Sequence, residues 1–289
     1  STFSIFPLYS TPDFSVTITS FLVFFCNTVN GLFDIVCDIN NSRLCHFLFY
    51  QNKSLAYLIN YEICLIFTAS TKSMISTGLQ KLDTCLGGGI QEGLVTDIFG
   101  QNATGKSQLT FQICINALKS GKEVLFEDTT GGFRPERLVE MIGSQNMDLK
   151  TLDKIKVARI TDSVQQIQYL SKIPIDNFSL IVIDNVSDLF SFEYSKKNNF
   201  LEKHLSFMRY MYDLSRISIT TRIPIVVTNI VRNTDDNEIE NLEKSISMYS
   251  HVKIKLSKIN HEYTCQIISP FNSQKISYVI STGGLTNPS

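Results

Sequence analysis

Eight consecutive residues, Gly100-Gln101-Asn102-Ala103-Thr104-Gly105-Lys106-Ser107, fit the pattern G-x-x-x-x-G-K-[ST] at every fixed position. Glycines at those spacings let successive backbone N–H groups turn inward around a phosphate, and a helix that follows offers its positive N-terminus. Lys106 is placed to reach the β- and γ-phosphates of a nucleotide, and the Ser107 hydroxyl is an oxygen ligand suited to Mg²⁺. A second metal anchor is needed, and Asp184 supplies a candidate at the end of the apolar run Phe178-Ser179-Leu180-Ile181-Val182-Ile183. The plainer reading of Asp184 is a carboxylate that caps a strand.

The elements around these residues fit the chemistry. Leu94–Phe99 is β-branched and apolar, and the residues after Ser107 carry Phe111, Ile115 and Leu118 at helical spacing, so the loop is predicted to join a strand to a helix. Strands are predicted at Leu94–Phe99, Glu123–Glu127, Lys156–Ile160, Leu180–Asp184 and Ile225–Asn229. Helices are predicted at Lys106–Lys119, Pro135–Ile142, Val164–Leu170 and Asn199–Ser215. That alternation implies an α/β fold with a mostly parallel sheet flanked by helices. Val252–Ser257, Tyr263–Ser269 and Lys275–Ile280 follow without helices, as an antiparallel C-terminal extension would. In Asn199–Ser215 the stripe Phe200, Leu201, Leu205, Met208, Met211, Tyr212 and Leu214 is expected to be one face packed on the sheet.

Between the two anchors stands Asp128-Thr129-Thr130-Gly131-Gly132-Phe133-Arg134-Pro135-Glu136-Arg137-Leu138, and upstream Ser76-Thr77-Gly78-Leu79-Gln80-Lys81-Leu82-Asp83 with Leu86-Gly87-Gly88-Gly89-Ile90. Together with the phosphate loop these resemble the RecA/RadA recombinase family, most closely the short archaeal RadB-like paralogues and more loosely the KaiC-like ATPases. The resemblance runs from about Met74 to Leu285. It implies a RecA-like core that binds ATP and Mg²⁺, with single-stranded DNA and a RadA-type recombinase as partners in recombination and repair, in a cytoplasmic, nucleoid-associated setting without a membrane.

Two positions depart from the family pattern. Where the resemblance places a water-activating Glu, this chain has Thr130, a poor base at neutral pH. Glu127 lies three residues earlier, in the strand, as a candidate substitute. Where a Gln would read the γ-phosphate, after Thr228-Asn229, the chain has Ile230. The expectation is a site that binds ATP and hydrolyses it weakly or not at all. An active DNA-dependent ATPase with another base, or a KaiC-like regulatory ATPase that ignores DNA, are the alternatives. The Ser269-Pro270 and Ile280-Ser281-Thr282-Gly283-Gly284-Leu285 pairing resembles the family's C-terminal ending.

Charge is balanced, with 26 Lys and Arg against 27 Asp and Glu, so any contact with DNA must be local. The resemblance puts one DNA-binding loop near Phe192–Asn199, with Lys196 and Lys197, and a second after Asn229. Asn233–Glu243 is acidic and reads as a solvated surface loop instead. Lys253, Lys255 and Lys258, with His251, form a row in which 251, 253 and 255 share one strand face. Such a row can track a DNA backbone, and is equally what an exposed strand face or a guarded edge carries. The seven cysteines show no C-x-x-C pair, which argues against a disulfide framework or a zinc site.

Residues 1–73 differ from the rest. They hold ten of the 20 Phe and four of the seven Cys but only Gly31 among glycines, and no helical or strand period persists. The first methionine is Met74, so 1–73 is expected to be an upstream reading-frame extension or disordered, and 74–289 the ATP-binding core. Phe14–Phe33 is uncharged and 20 residues long, but its Thr, Ser and Asn content and missing basic flanks speak against a membrane span. Phe67-Thr68-Ala69-Ser70 only partly matches the F-x-x-A strand through which recombinases polymerise.

Overall fold

The computed structural model describes residues 73–195, 200–234 and 237–288, and the backbone of two strands nearer the N-terminus. The chain divides into two units, Ser1–Asn60 and Tyr61–Ser289.

In the first unit β1 (Phe21–Thr28) pairs antiparallel with β2 (Gly31–Asp38), from Phe21 opposite Asp38 to Thr28 opposite Gly31. The pair forms although neither strand alternates apolar with polar residues. Both strands are dense in aromatic and β-branched residues, which favour extended backbone even where polar alternation is weak. The uncharged stretch 14–33 therefore contains a strand and the start of its partner. Among the described residues no helix is long and apolar enough to cross a membrane. Phe67–Ser70 lies outside the described residues.

The second unit holds a short antiparallel pair, β3 (Met74–Ile75) and β4 (Ile90–Gln91), and a larger sheet. The strands of the larger sheet lie in the order β14 (Gly284–Thr286), β13 (Ile276–Ser281), β12 (Glu262–Ser269), β11 (Val252–Ile259), β5 (Val95–Gly100), β9 (Ile225–Thr234), β8 (Phe178–Asp184), β6 (Glu123–Asp128) and β7 (Ile155–Arg159), with β10 (Asn237–Glu240) paired to β9. Five predicted strands appear as β5 (Val95–Gly100), β6 (Glu123–Asp128), β7 (Ile155–Arg159), β8 (Phe178–Asp184) and β9 (Ile225–Thr234). Neighbours among them run parallel. β5 and nearly all of β8 are buried, as central strands covered on both faces must be. β11 (Val252–Ile259) departs from expectation. It pairs parallel with β5 and antiparallel with β12 (Glu262–Ser269), so it belongs to the parallel core, and the antiparallel extension begins one strand later with β12, β13 (Ile276–Ser281) and β14 (Gly284–Thr286).

Two apolar layers sandwich the sheet. Alternation along β6 sends Phe126 to one face, where it meets Phe111 of the Lys106–Ala117 helix and Phe133 at centroid distances of 5.5 and 5.0 Å. Leu125 goes to the other, with Phe190, Phe207, Tyr210, Met211 and Leu214. Fully burying each such side chain contributes about 1.5–3 kcal/mol.

The long helix runs Phe200–Thr221, beyond its predicted end, and stops at Arg222, whose φ is +61°. Its packed face is Phe207, Tyr210, Met211, Leu214 and Ser218, the i, i+3, i+4, i+7, i+11 set. Phe200, Leu201, Leu205 and Tyr212 are exposed, so the predicted single stripe is two: Leu201, Leu205 and Tyr212 lie on a second face. Asp188–Ser195 forms a helix where a loop was expected from Phe192, and Lys196 and Lys197 lie outside the described residues.

Candidate nucleotide site

The phosphate loop leaves β5 at Gly100, where a Cβ would stand 2.1 Å from the Leu256 carbonyl oxygen of β11. Only glycine lets the two strands close there. Gly105 has φ +90° and starts the helix Lys106–Ala117, a left-handed conformation that costs glycine little. Ala103 also has positive φ, +59°. The loop between them holds itself: the Thr104 hydroxyl donates to the Gln101 carbonyl at 2.8 Å, and the Tyr278 hydroxyl of β13 donates to the Thr104 carbonyl. Asn102 is an exposed member of the same turn. Lys106 Nζ donates back to the carbonyls of Gly100 and Gln101, at 2.9 and 2.7 Å. Burial lowers its pKa, opposed by the charges of Asp184 and Asp188.

Asp184 ends β8 beside the loop, as the sequence predicted. Its Oδ2 accepts from Ser107 Oγ at 2.7 Å, and its Oδ1 accepts from the hydroxyl of Thr228, which follows the apolar residues Ile225, Val226 and Val227 of β9. Hydroxyl and carboxylate oxygens thus meet at the start of the phosphate-loop helix, the hard oxygen donors that suit Mg²⁺. Asp188 is close enough to feel Asp184, Lys106 and Arg232. Burial and Asp184 raise its pKa while Arg232 and Lys106 oppose the shift. Sequence reading assigned no role to Thr228, Asp188 or Arg232; Thr228 carried a signal, as the hydroxyl ending an apolar run next to β5.

Asp128 fixes the segment that bears Thr130. Its Oδ1 accepts backbone N–H bonds from Thr130, Gly131 and Gly132 at 3.1, 2.7 and 3.1 Å, and its Oδ2 one from Phe133 at 3.2 Å. The Thr130 hydroxyl turns to the same carboxylate at 3.3 Å. Glu127 points the other way. It is fully buried in the layer opposite the phosphate-loop helix, where its charge reaches Tyr169 and Tyr210. Strand alternation therefore removes Glu127 as a substitute base. Ile230, half-buried on β9 beside Gly100, makes hydrogen bonds through its backbone alone: its N–H donates to Asn229 Oδ1 and its carbonyl accepts from the Asn241 N–H at 2.9 Å. Asn229 is the polar hub: it accepts from Ser187 Oγ at 2.6 Å and donates to Glu240 at 2.7 Å and the Asn241 carbonyl at 2.8 Å.

The lysine row does not face solvent as a unit, which overturns its reading as a DNA track. Lys253 is 6% exposed, with Nζ 2.9 Å from Asp97 Oδ2 and paired to Glu240. β11 lies inside the sheet between β5 and β12, so the row is not a guarded edge, and Lys253 leaves it toward two buried carboxylates. Lys255 Nζ lies 2.9 Å from Glu238 Oε2, and only Lys258, over the Tyr263 ring at 5.1 Å, is exposed. His251 is half-buried and accepts the Val95 N–H at 3.0 Å; loss of solvent around its ring lowers its pKa to about 4. The acidic segment is likewise not a simple solvated loop. β9 extends to Thr234, β10 (Asn237–Glu240) folds back on it, and Glu240 is buried. Asp235 and Asp236 lie outside the described residues.

The remaining motif residues clasp the phosphate-loop helix. Asp83 accepts from the Ser76 hydroxyl at 2.6 Å and from the Thr77 N–H and hydroxyl at 2.8 and 2.6 Å, and Asn116 donates to the Ser76 carbonyl at 2.9 Å. Gln112 makes a paired bond to the Leu285 N–H and carbonyl at 2.8 and 3.0 Å. Arg137 bridges Gln108 at 2.7 Å and the Ser281 carbonyl. Gln108 and Gln112, unremarked in the sequence, are what the two end motifs hold.

A mostly parallel sheet, a strand–loop–helix phosphate cradle and a carboxylate at the end of β8, one strand beyond β9, define a P-loop nucleotide-binding core of RecA type. The Rad51 family model matches residues 69–282, and the chain belongs to the Rad51 family. It is 35% identical over 175 residues to the DNA repair and recombination protein RadA of Cenarchaeum symbiosum, covering 57% of this chain and 44% of that protein. To the RadB of Thermococcus sibiricus it is 41% identical over 129 residues, 43% of this chain and 55% of that one. To the mouse meiotic recombination protein DMC1/LIM15 homolog it is 32% identical over 168 residues, 54% and 49% respectively. The chain thus spans about half the length of these relatives.

Proposed function

We propose that this chain is a RadB-like recombinase paralogue that binds ATP and Mg²⁺ at Gly100–Ser107, hydrolyses ATP slowly, and assists a RadA-type recombinase on single-stranded DNA in repair. The contact of Ser107 Oγ with Asp184 at 2.7 Å, beneath a loop whose lysine is curled onto it, carries the nucleotide reading. Gly100 to Gly105 present the backbone, Lys106 the charge for β- and γ-phosphates, and Ser107 with Asp184 would hold the metal. When bound, Mg²⁺ neutralises phosphate charge. ATP then acts by differential binding to two conformations.

Slow hydrolysis follows from Thr130. Its hydroxyl is tied to Asp128, and Glu127 faces the other layer. Titration of the full chain with ATP should show Mg²⁺-dependent binding with negligible turnover, unchanged by single-stranded DNA. Thr130→Glu should raise turnover by about a hundredfold, the lower end of what a positioned base contributes. Robust turnover by the unmodified chain would sink the slow-hydrolysis reading.

With Lys253 buried, the DNA reading rests on another surface. Phe200 is 70% exposed, Lys203 Nζ stands 4.9 Å from its ring centroid, and the His204 ring lies 4.5 Å away. Burial and the charge of Arg232 lower the Lys203 pKa, which places Arg232 on the same patch. An exposed aromatic among cations suits single strands, which stack bases and track phosphates. Lys203→Glu and Arg232→Glu should each weaken oligothymidylate binding and lower the salt slope by about one, and Phe200→Ala should cost about 1–3 kcal/mol. Binding indifferent to all three would overturn this surface, and no binding at all would favour a regulatory ATPase that ignores DNA.

A further inference from the structure

One carboxylate joins the β9–β10 hairpin to the phosphate loop. Glu238 of β10 accepts from Gln101 Nε2 of the loop and stands 2.9 Å from Lys255 Nζ of β11. The side chains of this ion pair are 28% and 32% exposed. Two residues on, Glu240 is buried against Lys253 and accepts from Asn229 at 2.7 Å. Side chains two apart on a strand share a face, so Glu238 and Glu240 meet Lys255 and Lys253 as two rungs of one ladder. The rungs differ in strength. Breaking a buried pair leaves charges stranded, whereas a half-exposed pair is worth little. The tip of β10 is exchangeable while its base is fixed.

We infer that Lys255 and Gln101 form an anion position beside the phosphate loop, closed by the chain's own Glu238, whose exchangeable ligand is a phosphate group. An ammonium and an amide N–H converge there on the two oxygens of a carboxylate, a geometry that a phosphate's oxygens also satisfy with more charge. Gln101 belongs to the loop proposed to hold the nucleotide, so a nucleotide's terminal phosphate is one source; that source rests on the nucleotide reading. A nucleic-acid backbone is the other. In either case the phosphate displaces Glu238 while Glu240 keeps β10 in register, so occupancy of this position is transmitted to the hairpin.

The test is calorimetric titration of the full chain and its Glu238→Gln, Lys255→Met and double variants with ATP, ADP and oligothymidylate. Glu238→Gln keeps the shape and removes the competing charge, so it should tighten one source by about two- to fivefold. The gain should vanish in the double variant. A gain for ATP but not ADP identifies the terminal phosphate, and a gain for oligothymidylate identifies the backbone. No gain for any ligand, or one that survives without Lys255, overturns the proposal. Absence of ATP binding in every variant defeats the nucleotide reading separately, and the oligothymidylate titration then decides the anion position. Should Glu238→Gln fold poorly, Gln101→Leu gives the same reading as a weakened affinity for the same ligand.

Discussion

Replacing Lys253 by Met should destabilise the chain by about 3–5 kcal/mol in urea unfolding at pH 7. The methionine keeps most of the aliphatic stem, so the loss is that of the charge. Asp97 and Glu240 are both buried, and Lys253 is the cation between them. Without it two carboxylates face each other in a region water does not reach. Burial and then the charge of Asp97 already raise the Glu240 pKa, with Lys253 opposing; removing Lys253 removes that opposition. The variant should therefore recover as pH falls and the carboxylates take up protons, and its deficit should narrow below neutrality. In the unmodified chain, burial pulls the Lys253 ammonium down, but Asp97 and Glu240 outweigh it and its pKa is raised. A raised lysine contributes fully below its unfolded pKa, and that contribution disappears only as pH rises through the folded value. Lys258→Met, on the exposed end of β11, should stay within about 0.5 kcal/mol of the parent. A Lys253→Met protein of normal stability that had lost oligonucleotide binding would restore the row as a nucleic-acid surface.

The lysine row shows what the sequence could carry and what it could not. Val252, Ile254 and Leu256 were legible as the core face of a strand, and Ile254 and Leu256 are buried there. The opposite face was read as solvent because its residues are basic. What decides that face is the neighbour: β11 pairs in parallel with β5, Lys253 opposite Asp97. An aspartate inside the apolar run Leu94–Phe99 was the available signal, since a charge buried in a central strand requires a partner. The parallel core was readable because its strands are apolar on both faces, and the phosphate loop because its backbone geometry demands particular residues at Gly100 and Gly105. Helix 188–195 was missed because the resemblance put a loop there from Phe192, and the split stripe of helix 200–221 because two apolar faces read as one. Pairing across a sheet is set by topology, which spacing along the chain does not encode.

Glu127→Leu should stabilise the chain by roughly 3 kcal/mol more at pH 7 than below pH 4. Glu127 is fully buried, neither carboxyl oxygen has a hydrogen-bond partner among the described residues, and burial raises its pKa to about 8. The unfolded chain releases this proton near the ordinary glutamate value of about 4.3. Between those two values the native state holds a proton that the unfolded state has lost, so native stability falls as pH rises. The decline begins near the unfolded pKa and levels off above about pH 8. Leucine fills the same layer among Leu125 and Tyr210 without that dependence, so the two stability curves should lie nearest each other in acid and separate toward neutrality. Glu127→Gln separates charge from shape: it should flatten the curve as leucine does, but gain less at pH 7, because an amide in that place still lacks partners. Parallel curves for wild type and Glu127→Leu from pH 4 to 8 would mean that the carboxyl is already paired. In neither variant should nucleotide affinity change by more than about twofold, because the sheet separates this carboxyl from the phosphate loop.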